Sequence, residues 1–146
     1  MIVTISRIRT NSLYTLSEFR INGSHVAFTL ESTAHMLVKG KYAVRIAKHS
    51  ARKQDIFLYT EAPKGSKHPL QNTHIAIVLG NSWKDAARTR NIIIGLPLIP
   101  GVMYKGREIY ENLVDRVTKC MERKENISLV ISDEHIKEMP AIKHWN

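Results

Sequence analysis

Residues 73–101 read THIAIVLGNSWKDAARTRNIIIGLPLIPG, the part of the chain in which apolar residues and turn residues are most densely mixed. Two apolar runs, 75–79 and 92–94, are rich in β-branched residues and too short to be helices. They are bounded by Gly80-Asn81 on one side and by Gly95 and Pro97 on the other. That pattern predicts two buried strands. The polar segment between them, 81–91, is expected as a loop carrying Asn81, Trp83, Asp85, Arg88 and Arg90. Loops held by buried strands carry many binding and catalytic groups, so these five are the first candidate binding residues. The plainer reading stands beside it: a loop carboxylate near arginines is more often a turn cap or local salt bridge, and a loop tryptophan more often packs over the core.

Upstream, the chain reads as strands. Residues 2–8 and 13–21 are β-rich with a polar turn between them, and Asn22-Gly23 follows. Asn-Gly is the favoured pair for a type I′ hairpin, because both central residues need positive φ, so 19–21 should pair with 25–30. Residues 31–35 read as a polar connection. In the next run Tyr42, Val44 and Ile46 fall on one face and Lys41 and Arg45 on the other, as a half-buried strand over 41–48 requires. A basic loop at 49–53, a strand at 54–60 and a long Pro/Gly-punctuated loop at 61–72 lead back to the opening stretch.

Downstream the period changes. Ile109, Leu113, Val114, Val117, Cys120 and Met121 recur at helical spacing and predict one long amphipathic helix over 107–124. A last strand is expected at 127–132. The remainder, 133–146, reads as a polar C-terminal tail whose sequence is compatible with a helical turn at 133–137. The expectation is an α+β domain over 1–132: a mainly antiparallel curved sheet or small barrel packed with one long helix, without alternating βαβ units.

Composition narrows the function classes. The chain has 146 residues, 43% hydrophobic and 24% charged, which suits one domain with a real core. A single cysteine, Cys120, excludes an internal disulfide and any multi-cysteine zinc site. It lies on the apolar stripe of the expected helix, where a structural thiol is the expectation. The seven histidines are scattered, with no pair at three- or four-residue spacing, so neither a metal site nor a cofactor is expected. The start of the chain lacks the pattern of a signal peptide and no run approaches the roughly 20 apolar residues of a membrane span, so a cytoplasmic protein with no membrane partner is expected.

The charge is uneven. The net charge is +9, but residues 1–107 hold 16 Lys/Arg against 5 Asp/Glu, while 108–146 hold 6 against 8. Between 39 and 67 there are 8 cations and 2 acids, making Lys41, Arg45, Lys48, Arg52 and Lys53 a candidate anion patch. Such a field attracts a polyanion or an acidic protein, and it also arises simply as a solubilising surface. Nucleic acid is a candidate partner without a motif, since neither an RNA-recognition signature nor a helix-turn-helix pattern accompanies the charge.

The order RIRTNSLYTLSEFRING, FTLE, KGKYAVRI, IAIVLGNSWKD and IIIG, followed by a helix, resembles a family of small bacterial and bacteriophage proteins classed as a domain of unknown function. The resemblance covers about residues 3–131 and falls on Leu30-Glu31, Gly40, Tyr42, Gly80-Asn81, Asp85 and Gly95. Members of that family carry a histidine before Gly-Asn and a Gly-Cys pair further on, a pattern similar to that of L,D-transpeptidases. There, histidine generates the thiolate that attacks an acyl donor. In this chain those positions fall on Val78 and on Arg90-Asn91. Valine cannot accept a proton and an asparagine amide is not a competent nucleophile. His74, four residues before Val78 and expected on the same strand face, is the one histidine placed to approach the loop.

Three functions are therefore in view. The favoured one is a noncatalytic small protein binding a partner through its basic surface or the 81–91 segment. The others are an enzyme acting on cell-wall peptides or related acyl groups, and a nucleic-acid-associated protein working through charge alone.

Overall fold

The computed structural model of the protein describes residues 1–50 and 53–139, and the side chains of all of these except 47–50, 53 and 54. The first three strands are β1 (Ile2–Thr10), β2 (Tyr14–Ile21) and β3 (Ser24–Ser32). Asn22 and Gly23 turn β2 into β3 with φ of 50° and 85°, the two positive values that a type I′ turn needs. Asn22 also ties in β1: its Oδ1 accepts the Ile2 N–H at 2.9 Å and its own N–H donates to the Ile2 carbonyl. Asn11 makes the preceding turn, its Oδ1 accepting the N–H groups of Leu13 and Tyr14.

A 3-10 turn at Thr33–His35 leads into β4 (Gly40–Ser50), β5 (Lys53–Glu61) and β6 (Leu70–Val78), all antiparallel. After β6 comes α1 (Trp83–Thr89), then β7 (Ile92–Ile99) and a short β8 (Val102–Tyr104). The helix α2 (Gly106–Glu122), β9 (Ser128–Ser132) and β10 (Lys137–Glu138) complete the described chain. The strand order is β1-β2-β3-β7-β6-β5-β4-β9, and β9 then pairs with β1, so eight strands close into a barrel. Two of its junctions, β6–β7 and β1–β9, are parallel and the rest antiparallel.

Strand alternation fills the barrel. Val3, Ile5, Phe19, Ile21, Val44, Ile56, Leu58, Ile77, Ile92, Ile94, Leu129 and Ile131 form one buried cluster, and Tyr110, Leu113, Val117 and Cys120 of α2 belong to it. The helix thus adds its apolar stripe to the barrel core. A smaller cluster of Tyr14, Leu30, Ala86, Ile93 and Met103 joins α1 to the opposite faces of β3 and β7. Each Ile or Leu buried in this way contributes roughly 1.5–3 kcal/mol of transfer free energy.

The expected small barrel is therefore present, but among the described residues it is mainly β with two α-helices. Segment 81–91 is not a loop: it contains α1, the crossover that two parallel strands, β6 and β7, require. Glu31, read as the start of a polar connection, is the penultimate residue of β3 and is buried. The long helix ends at Glu122, two residues short of the expected position, because Lys124 turns left-handed at φ 56°. There the Glu125 N–H reaches the Cys120 carbonyl and the Lys124 N–H the Met121 carbonyl, the paired bonds of a Schellman terminus. The loop read over 61–72 is shorter than expected, since β6 begins at Leu70. Within 133–146, Lys137 and Glu138 form β10 in parallel register with Arg9 and Thr10.

Candidate functional site

Segment 81–91 spends much of its polar chemistry on its own fold. Asp85 stands at the third position of α1, and its Oδ2 accepts the N–H groups of Asn81 at 2.8 Å and Ser82 at 3.2 Å. The bond from Asn81 is the main reason its carboxyl is held below the usual carboxylate range, with Ser82 and Arg88 adding to it against partial desolvation. Trp83 is half-buried. Its backbone N–H donates to the Gly101 carbonyl at 2.9 Å, and Gly101, at φ 76°, comes so close that a Cβ there would lie 2.6 Å from the indole Cδ1 and 3.1 Å from Tyr14. Arg88 is exposed and 3.6 Å from Asp85, while Arg90 is exposed at the left-handed end of α1. The backbone of Asn81 bonds to Asp85 and, through its carbonyl, to the Met103 N–H at 2.7 Å.

Val78 and Asn91, where the resemblance would put a His and a Cys, are likewise structural. Val78 pairs with Ile93 in the barrel wall, and the Asn91 Oδ1 accepts the N–H of buried Ala76 at 3.0 Å, anchoring the end of the crossover to β6. His74 does not share a regular strand face with Val78, because the alternation is interrupted at His74 itself. Its φ is 63°, its N–H bonds to the Asn72 side chain, and the Thr73 hydroxyl bonds to the Leu58 carbonyl, leaving His74 exposed on a bulge. Cys120 is buried in α2 with its Sγ 3.6 Å from Glu125 and 3.8 Å from Arg123, which themselves form an ion pair. Among the described residues no three His, Cys, Asp or Glu side chains are grouped as metal ligands. No helix among them is long and apolar enough to cross a membrane.

The basic patch resolves differently. Arg52 lies outside the described residues, as do the side chains of Lys48 and Lys53. Lys41 and Arg45 are described, and they share one face of β4. Tyr42 and Val44 point into the barrel, so Lys41, Ala43 and Arg45 point out of it. Ala43 is paired with Tyr59 on β5 and with Ser128 on β9. With only a methyl group at its centre, this part of the wall forms a groove of about 500 Å³, lined by Lys41, Arg45, Tyr59, Glu61, Asn126 and Ser128 around Ala43. Two positions apart on one strand, the β-carbons of Lys41 and Arg45 are each about 7 Å from that of Ala43. The Lys41 side chain is exposed, with no ion pair or hydrogen bond among the described residues. Among the described residues the Arg45 guanidinium donates only to the Val44 carbonyl, at 2.8 Å.

Sequence reasoning did not find Tyr59, Glu61, Asn126 or Ser128. The only signal available was the outward set Lys41-Ala43-Arg45, with its small central residue; what surrounds it depends on β9 pairing with β4.

The barrel interior holds a second polar group that the sequence did not reveal. Arg7 and Glu31 are buried and joined by two bonds, Nε to Oε2 at 3.1 Å and Nη2 to Oε1 at 3.0 Å, and Arg7 also donates to the Leu37 carbonyl at 2.6 Å. Tyr42 lies beside them and donates to the Val38 carbonyl. Its phenol is pushed up by burial, an effect that nearby Arg7 opposes and Glu31 reinforces. Ser17 pairs with Arg7 on one side and Thr29 on the other, and the Ser17 and Thr29 hydroxyls are buried without a hydrogen-bond partner among the described residues. Of this group Tyr42 also borders the groove over Ala43, while Arg7, Glu31, Ser17 and Thr29 line neither of the two cavities described. Its visible work is to hold segment 33–39 against the barrel.

No protein-family model, curated protein or solved structure matches the chain.

Proposed function

We propose that the protein is a noncatalytic binding module of the small bacterial and bacteriophage type its motif order resembles, and that it holds an anionic partner in the groove over Ala43. The observation that carries this reading is the pair Lys41 and Arg45, which face outward together at one cavity and are neutralised by no carboxylate among the described residues. Such cations raise the local concentration of anions and speed their encounter. The 81–91 segment supports the reading less well, since Asp85 and Trp83 are engaged within the fold and only Arg88 and Arg90 remain outward. An acyl-transfer enzyme is the weaker alternative, because the Asn91 amide is bonded to Ala76 and the buried Cys120 thiol lies against Glu125 and Arg123. A cytoplasmic setting, the host's if the protein is phage-encoded, accords with the lone buried thiol.

The test is a titration of the full chain with inorganic polyphosphate at low and at physiological salt, in the native form and in the Lys41→Gln/Arg45→Gln form. Binding that weakens with salt and falls about tenfold or more in the double variant is the expected result. A matching Arg88→Gln/Arg90→Gln variant is the control. If it loses as much affinity as the groove variant, binding is diffuse and the groove has no special part in it.

A further inference from the structure

The groove is not uniformly basic. Glu61 stands in the same lining as Lys41 and Arg45 but forms an ion pair with neither, and among the described residues its carboxylate has no hydrogen-bond partner. The Tyr59 hydroxyl and the Asn126 and Ser128 side chains are also unpartnered, although the Asn126 backbone carbonyl accepts the N-terminal ammonium at 3.0 Å. A surface serving only solubility gains nothing from an aromatic ring, an unpaired acid and two unpaired cations around an alanine floor. Together they match a ligand that carries an anion, a flat ring and a hydrogen-bond donor.

We infer that the groove takes a nucleotide. The phosphate lies between Lys41 and Arg45, which flank Ala43 on the outward face of β4 and line the same groove. The base lies against the Tyr59 ring, which is half-buried and therefore held in place, and every base offers a π-face for such contact. Glu61, acceptor-only when ionised, takes a hydrogen bond from an exocyclic amine or a sugar hydroxyl. A volume of about 500 Å³ is in the range of small-molecule pockets and holds one such unit. The inference rests on the anionic-partner reading above and adds the chemistry of the partner. The unit is either a free mononucleotide or one residue of a single strand.

Both sources are tested by titrating the full chain with adenosine monophosphate, with a single-stranded oligoadenylate, with an oligothymidylate of the same length, and with polyphosphate. The expected result is that Tyr59→Leu weakens nucleotide binding about tenfold, as loss of one stacked base does, while polyphosphate binding is unchanged. Tyr59→Phe, which keeps the ring, retains the affinity, and Glu61→Gln narrows the preference for adenine over thymine. Equal site affinity for the monophosphate and the oligomer assigns the site to free nucleotides, whereas binding of the oligomer alone assigns it to a strand. Polyphosphate binding that Lys41→Gln/Arg45→Gln abolishes, together with nucleotide binding indifferent to Tyr59→Leu, overturns the nucleotide and leaves the anion reading standing. Failure of every probe to bind overturns both.

Discussion

Replacing Glu31 with glutamine keeps the shape of the side chain and removes its charge, leaving the Arg7 guanidinium unbalanced inside the barrel. Arg7 and Glu31 have side-chain exposures of only 4% and 3%, so water cannot take over the lost interaction. The carboxylate accepts two of the three hydrogen bonds that the guanidinium makes, and the Leu37 carbonyl accepts the third. Breaking one side of a buried pair costs about 3–5 kcal/mol. For a chain of this length that is a fall in Tm of roughly 10–20 °C. Urea unfolding followed by circular dichroism measures the first quantity and a thermal scan the second. The companion variant Arg7→Met/Glu31→Leu removes both charges and keeps the volume, so it should recover most of the loss. A cost for Glu31→Gln below about 1 kcal/mol, the size of an exposed pair, would refute the reasoning. So would a double variant whose destabilisation equals the sum of the two single ones.

Asp85→Ala should cost about 1 kcal/mol at neutral pH through loss of the α1 cap, somewhat less for being a third exposed. Because the folded carboxyl lies below the unfolded value of 3.8, this contribution is present above pH 3.8 and is lost as pH falls through the folded value. The gap between the native chain and the variant in urea unfolding should therefore close in acid. Burial, with the Asp55 carboxylate adding to it, pushes the Tyr110 phenol up to about 12 from 10.0, so the stability it contributes is complete below pH 10 and lost as pH rises through 12. Ultraviolet titration should show one phenolate forming only near pH 12 in the folded protein, and Tyr110→Phe should abolish that step. Thiol reagents should label Cys120 far more slowly in the native than in the unfolded chain, and the purified protein should turn over no murein peptide. Rapid native labelling, with peptide turnover abolished by Cys120→Ser, would restore the enzyme reading.

What the sequence disclosed is what local chemistry decides. Asn22-Gly23 needs no distant partner to form its turn, and the stripe from Ile109 to Met121 marks α2 wherever the helix docks. The alternation of Tyr42, Val44 and Ile46 with Lys41 and Arg45 likewise placed the basic face of β4. The short helix α1 was missed because Ala86 is the one buried side chain in its seven residues, too few to show a 3.6-residue period. Its signal was the Ser82-to-Asp85 spacing, an N-cap followed by an acid at the third position. Arg7 and Glu31 each sit at inward positions of their strands, where a charge reads as solvent-facing until its partner across two strands is known. The groove was only half legible for a related reason. Lys41 and Arg45 belong to one strand, but Ser128 and Asn126 reach it only because β9 inserts between β4 and β1.

That insertion also orders events in the life of the chain. Pairing of residue 2 with residue 128 and of residue 40 with residue 131 completes the wall, so during synthesis the wall stays open until β9 has left the ribosome. Before then β1 and β4 each present a row of unsatisfied backbone groups, the template on which strands of separate molecules join. Contacts so distant in sequence form late and make folding slow relative to helical domains of similar size. The window in which nascent chains are exposed to one another is thus set by a five-residue strand near the far end of the fold, and a chain stalled before Ser128 is left with two adhesive seams.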